Sequence, residues 1–262
     1  MSDPSFNSQR PLAEQLVELK DAIRAQPAKA TLRIYYFQLL CVLGEWQKAI
    51  DQLQVCAQLD PAAAPMARAY REAISCEVLR GEVFAGRKTP HILGEPTTWL
   101  GYLTDALSKS AAGNMDDAAR LRSQAFDLAP PSAGEIDGTP FAWIADADNR
   151  LGPVCEFLAN GCYYWLPFEA IKSIGFEKPQ DLRDLAWQAC EVTLCNGGSL
   201  AGFIPSRYPL QSGDTDEIKL ARQTQWESLN QEHFAGRGQR LWATDQAEYA
   251  LLDVRQVRFT RA

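Results

Sequence analysis

Along the first half of the chain, apolar residues recur every three or four positions. Leu12, Leu16, Leu19 and Ile23 form one such stripe, and Trp46, Ala49, Ile50, Leu53 and Ala57 form another. This is the spacing of a helix with one buried face. Between them, positions 32–43 are apolar almost all round (Ile34, Tyr35, Tyr36, Phe37, Leu39, Leu40), which predicts a helix buried in the middle of a stack. Met66, Tyr70 and Ile74 mark a fourth helix running towards Gly81. Trp99, Leu100, Leu103 and Leu107 mark a fifth, opened by Pro96 and the Thr97/Thr98 pair, and positions 115–128 supply a sixth.

Two of these stretches share their punctuation. Gly44 is followed five residues later by Ala49 and twelve after that by Pro61; Gly113, Ala118 and Pro130 repeat the same spacing. Glycine ends a helix at no conformational cost, alanine lets two helices approach closely, and proline stops the second helix. This is the pattern of a tetratricopeptide (TPR) hairpin, whose period is about 34 residues. The two prolines stand 69 positions apart, so a degenerate unit is expected between them. Arg33 occupies the early position where such a unit usually carries tryptophan.

After Pro130-Pro131 the pattern changes to alternation with turn residues. Asn160-Gly161 stands before Tyr163-Tyr164-Trp165. Cys190, Val192 and Leu194 alternate up to Asn196-Gly197-Gly198, a hairpin signal because Asn-Gly accepts the positive φ of tight turns. Asp245-Gln246 reads as a turn between two further strands, and the phase change from Leu252/Val254 to Val257/Phe259 predicts a bulge. Positions 181–187 read as a short helix or a strand lead-in, and 216–229 stay unassigned. The expected fold class is α+β: a TPR-like helical repeat array over 1–130, then a mainly-β domain over 131–262 with a barrel-like sheet.

Composition changes the functional picture more than the fold. A net charge of −7, with no Lys/Arg run, argues against nucleic acid or an anionic membrane as partner. The polar first ten residues lack a secretory apolar core, and no apolar run approaches a bilayer span; a cytoplasmic location is expected. The seven cysteines include no CxxC, and His91 and His233 are the only imidazoles. Structural thiols and no metal site are the expectation.

Asp146-Ala-Asp148, after a strand-like run, is the strongest candidate for chemistry. Two carboxylates at that spacing can hold Mg²⁺ or begin a nucleophile/acid pair; equally, Asp146, Asp148 and Asn149 can form a turn with Arg150 pairing one carboxylate. Arg207-Tyr208-Pro209 can bind an acidic partner or cap the domain through Arg–carboxylate pairs. No G-x-S-x-G and no GK[ST] ending occur, so serine-hydrolase and P-loop chemistry find no support.

Several stretches together resemble the ImpE/TagJ family, accessory proteins of bacterial type VI secretion systems. They include Gly94-Glu-Pro96, Trp143-Ile-Ala-Asp146-Ala-Asp148, Arg150-Leu-Gly152-Pro153, Trp165-Leu-Pro-Phe168, Arg207-Tyr208-Pro209 and Leu251-Leu-Asp-Val-Arg255. Leu210 departs from the family, where a glycine is expected. The resemblance implies a non-enzymatic adaptor, without cofactor, that contacts the small subunit of the contractile sheath and is linked to the AAA+ recycling ATPase. A helical-repeat groove would do the binding, with Tyr35, Tyr36, Trp46 and Tyr70 as aromatic anchors. Two alternatives remain: a metal-dependent hydrolase or phosphotransferase using Asp146 and Asp148, and a general TPR-type chaperone.

Overall fold

A computed structural model describes residues 4–260. The helices come first: α1 (Leu12–Ala25), α2 (Ala30–Leu43), α3 (Trp46–Leu59), α4 (Ala64–Phe84), α5 (Thr98–Ala111) and α6 (Met115–Leu128), with the two-residue strand β1 (His91–Ile92) between α4 and α5. Strands follow: β2 (Gly134–Ile136), β3 (Thr139–Phe141), β4 (Ile144–Asp146), β5 (Val154–Ala159), β6 (Cys162–Pro167), β7 (Ile171–Phe176), β8 (Trp187–Leu194) and β9 (Ser199–Pro205). The short helix α7 (Asp216–Lys219) then leads to β10 (Thr224–Ser228), β11 (Phe234–Gly238), β12 (Leu241–Thr244), β13 (Glu248–Ala250) and β14 (Gln256–Phe259). The fold class is α+β, as the change of pattern after Pro130 implies.

Each helical stripe buries the centre of its face, while Leu16, Trp46, Ile50, Ala57, Met66 and Tyr70 are half-buried at its margins. Leu12, Leu19 and Ile23 on α1, and Ala49 and Leu53 on α3, are all removed from solvent. Gly44 ends α2 in the left-handed region (φ 74°), and Glu45 N–H closes on the Leu40 carbonyl at 2.9 Å, a glycine C-cap. Gly113 does the same after α5 at φ 80°. Between these two hairpins stands α4 alone, 21 residues long, followed by an irregular link whose strand β1 pairs with β6. A second helix of a hairpin is not found in that link, because 91–92 are drawn into the sheet instead.

The main sheet has nine strands in the order β1-β6-β5-β9-β8-β7-β14-β2-β3. Its two ends are not joined, so the barrel-like closure expected from the sequence does not occur. β10 and β11 form a separate ribbon, and β13-β12-β4 a third small sheet. Residues 181–186 are a turn that leads into β8 at Trp187, the strand lead-in rather than the short helix, and the expected bulge near Leu252 is a 3-10 turn over Leu251–Asp253.

Helices and sheet share one core. Phe37, Leu53, Ile74, Leu103 and Leu107 pack in the same cluster as Val154, Leu158, Trp165 and Trp187. All six residues of β5 are buried, since helix α4 covers one face and the second cluster (Phe157, Ile174, Val192, Trp242) fills the other. A strand covered on both faces reads as a continuous apolar run rather than an alternating one. Because Trp187 is fully buried between the layers, Trp187→Ala should cost about 3–5 kcal/mol. Far-UV circular dichroism and tryptophan fluorescence should then fall together at one denaturant midpoint; separate midpoints for helix and sheet signals would contradict the shared core.

Candidate functional site

The polar centre of the molecule is a carboxylate inside an apolar strand. Glu156 of β5 has no solvent exposure. Arg80, on the stripe of α4 that faces the sheet, meets it with two parallel bonds, Nε to Oε1 at 2.7 Å and Nη2 to Oε2 at 2.8 Å. This is the fork geometry that gives guanidinium–carboxylate pairs their strength. Arg240, between β11 and β12, bonds the same carboxylate from the other side. Tyr163 of β6 donates its hydroxyl to Glu156 and accepts from Trp165 Nε1 at 2.8 Å. Burial alone pushes Glu156 up; Arg80 and Arg240 outweigh it and bring it down to about 2.

Arg240 is shared. Its Nη1 bonds Asp146 and its Nε donates to the Pro205 carbonyl at 2.8 Å. Asp146 also accepts from Tyr208 Oη at 3.1 Å and from the Asp148 amide at 2.9 Å. Burial is the largest influence on Asp146 and, with the nearby Asp148 charge, lifts it to about 7 against the pull of Arg240. Asp148 is occupied in turn: Arg150 reaches it through Nε at 2.9 Å and through Nη2, and the Gly236 amide donates at 2.9 Å. Arg150 lies over the Phe84 ring of α4, 4.7 Å from its centroid.

Both carboxylates of the Asp146-Ala-Asp148 pair therefore have their oxygens engaged by arginines and backbone N–H groups. The turn reading, with Arg150 pairing Asp148, is the one the geometry takes. The metal-dependent hydrolase or phosphotransferase reading needs open oxygens at a solvent-reachable position, and Asp146 and Asp148 are 2% and 0% exposed. Among the described residues no group of His, Cys, Asp and Glu is arranged to hold a metal ion.

Gly152 and Pro153 shape the same loop. Gly152 has φ +53°, and a Cβ there would lie 2.3 Å from the Phe126 ring of α6. The Pro153 carbonyl accepts from the Phe168 amide at 3.1 Å. Trp143 is 41% exposed on the rim of a recess of about 300 Å³ formed with Phe126, Pro130 and Pro131.

Arg207 has a different task. Its guanidinium donates to the carbonyls of Cys41 (2.6 Å) and Val42 (2.8 Å) at the end of α2, and to that of Lys219 after α7. A buried cation there satisfies orphan carbonyls and complements the helix dipole, although burial lowers Arg207 to about 10. Arg207 makes no ion pair with a carboxylate among the described residues; what it caps is a helix end from the first half, through backbone carbonyls. Tyr208 is buried against Gly236, where a Cβ would come within 2.1 Å of its ring.

Of the four aromatic residues expected to line a groove, three pack partly buried on the shared core and one stands apart. Trp46 and Tyr70 stack against Trp187 of β8 with centroids 5.7 and 6.0 Å apart, and Tyr70 also meets Phe203. Tyr36 packs in the same core. Tyr35 alone lines an open recess, about 450 Å³, with Phe6, Gln38, Leu182 and Leu185. Arg80, Glu156 and Trp187 were not singled out from the sequence, and Arg240 only as the end of the Gly238-Gln-Arg240 stretch of the family resemblance. A signal for the first two exists: each is a charge placed inside an apolar stripe, Arg80 between Cys76 and Val83, and Glu156 within Val-Cys-Glu-Phe-Leu-Ala.

Residues 138–258 match the family described as ImpE protein, a span that contains Asp146, Glu156, Arg207 and Arg240. The chain is 46% identical over 281 aligned residues, covering 99% of this chain and 98% of the relative, to the type VI secretion system accessory component TagJ of Pseudomonas aeruginosa. The crystal structure of a Vibrio parahaemolyticus protein superposes with a TM-score of 0.88 over 96% of this chain and 94% of that one. Its identity is 24%, so that likeness speaks for the fold.

Removing one member of a buried ion pair strands the other. Arg80→Ala should therefore destabilise by about 3–5 kcal/mol, with Glu156→Gln in the same chain recovering part of the loss in chemical denaturation; equal loss in the double variant would show that Arg80 acts by packing alone. Titration separates the two carboxylates. Glu156 lies below its unfolded value, so its contribution is present above the ordinary carboxylate range and is lost as pH falls towards about 2. Asp146 lies above its unfolded value, so its contribution is present below about pH 4 and is lost as pH rises through about 7. Asp146→Asn removes that second slope. The stability of the variant minus that of the parent should rise steadily from pH 4 to 7; a flat difference would mean Asp146 stays ionised throughout.

Proposed function

Because the chain belongs to the ImpE family, we propose that it serves the type VI secretion system as a non-enzymatic accessory component, in the cytoplasm, and that it binds the small sheath subunit through its helical half. Sheath recycling by the AAA+ ATPase is the process this contact would link it to. The observation that carries the accessory role is the 46% identity, over nearly the whole length of both chains, to a type VI secretion accessory component.

Two features favour the helical half, 1–130, as the binding unit. The hairpins α2–α3 and α5–α6 each carry the glycine, the fully buried alanine (Ala49, Ala118) and the closing proline of a TPR-like repeat. Such stacks commonly present helices or extended segments of partners with a ready surface. Of the anchors proposed for that surface, Trp46 and Tyr70 are held by the sheet, which leaves Tyr35 and its recess beside α2 as the position a partner segment can reach. Among the described residues no helix is long and apolar enough to cross a membrane.

The test is recovery of sheath subunit with the tagged protein from cells that contain the secretion system. Tyr35→Ala should lower that recovery about tenfold, as for a buried aromatic anchor, while its melting temperature stays within a few degrees of the parent. Unchanged recovery would move the site away from the Tyr35 recess. Absence of the sheath subunit from the parent preparation would sink the sheath reading while leaving the family membership untouched.

A further inference from the structure

The sheet edges of this protein are mostly blunted. β1 has two residues, β13 has three, and β3 has three with Pro140 at its centre. β4 donates its Asp146 amide to the Gly152 carbonyl at 2.6 Å. These are ordinary ways of keeping an edge from pairing with another chain. β10 is the exception. It runs five residues, Thr224–Ser228, with no Pro, no Lys and an unbroken register against β11.

The two sides of that ribbon are treated differently. On the β11 side four outward groups are taken: Phe234 N–H by the Asn149 side chain (2.7 Å), Gly236 N–H by Asp148 (2.9 Å), and the Phe234 and Gly238 carbonyls by the amides of Asn149 and Tyr208. In an antiparallel pair the bonded positions alternate. The bonds Leu229 N–H to His233 O and Gln239 N–H to Gln223 O fix the alternation, so Gln225 and Glu227 pair with β11. The N–H and C=O of Thr224, Trp226 and Ser228 point to solvent. Trp226 is 39% exposed, resting on Tyr208 at 5.9 Å. Glu227, exposed on the opposite face, makes no ion pair among the described residues, whereas Arg237 nearby is already held by Asp214.

We propose that the open edge of β10 is a strand-addition site for an extended segment of a partner protein that carries a basic residue opposite Glu227. Three outward residues offer main-chain pairing, Trp226 offers an apolar flank, and the unneutralised Glu227 sets the charge of the occupant. A second copy of this chain would bring Gln225 or another Glu227 to that position and no cation. The inference does not depend on which protein fills the Tyr35 recess.

The probe is a synthetic heptapeptide of alternating Lys and Val, beside the same peptide N-methylated at every residue. Both carry equal charge, but the second cannot pair along an edge. Binding of the plain peptide should slow hydrogen exchange at the Trp226 and Ser228 amides about tenfold, with no such effect from the methylated one. Ser228→Pro removes an outward N–H without touching the β11 ladder, and should weaken binding about tenfold, as should Glu227→Lys. Equal binding of both peptides, or none, would overturn the proposal. So would protection of the Trp226 and Ser228 amides in the free protein together with the mass of a dimer, which would make a second copy the occupant.

Discussion

Glu156 has to be satisfied for this chain to fold as it does. An ionised carboxylate with no exposure, in the middle of a fully buried strand, is unfavourable by many kcal/mol unless charges and donors meet it in place. Arg80 comes from α4, Arg240 from the turn after β11, and Tyr163 from β6. Arg80 also donates to the Arg207 carbonyl at 3.0 Å, which positions the capping arginine. Around this point Arg80 pairs with Glu77 and Glu156, Arg240 with Asp146 and Glu156, and Arg150 with Asp148. A hydrophobic cluster of the same volume would be at least as stable. What the charged one adds is register, since a slip of one residue along β5 would turn Glu156 away from both arginines.

The same logic joins the helices to the strands at their ends. Asp216, just inside α7, accepts the Leu12 amide at the start of α1 at 2.8 Å, and Arg207 closes the end of α2. Neither helix carries its own side-chain cap at these points. Helix termini leave several backbone groups unpaired, and here residues some 165 to 204 positions away supply the partners. Trp187 then fills the space against Trp46 and Tyr70. The inner face of the helical stack is thus a protein interior, and a partner must approach through its outer faces or through the recesses where helix and sheet part, as at Tyr35.

Local order was legible in the sequence, and long-range order was not. The stripes on α1 and α3, the glycine caps at Gly44 and Gly113, and the Asn160-Gly161 and Asn196-Gly197 turns follow from periodicity and φ preference alone. The sheet order places β9 between β5 and β8, and β14 between β7 and β2, pairings between strands far apart in the chain that no local pattern encodes. The Asp146-Ala-Asp148 motif had two fair readings because the residue that decides between them, Arg240, lies 94 positions from Asp146. Strand β1 escaped notice because two residues carry no period. The partly buried aromatic residues Tyr36, Trp46 and Tyr70 carry the same ambiguity: an intermediate helical face looks the same in sequence whether a sheet or solvent covers it.

These facts bear on what the family's shared stretches signify. Asp146, Asp148, Arg150, Gly152, Arg207 and Tyr208 are engaged with one another or with helix ends, and of the stretches that carry the resemblance, Trp143 keeps a large exposed apolar surface. Residues with such internal partners specify a fold, because each one removed strands a buried charge or opens a void. They do not select a ligand. The surface that does so must be built from residues with few internal obligations, such as Tyr35 beside α2 and Trp226 and Glu227 on β10. A motif shared across a family and a surface that chooses a partner are in this protein physically separate, so family membership follows from the one while partner identity has to be read from the other.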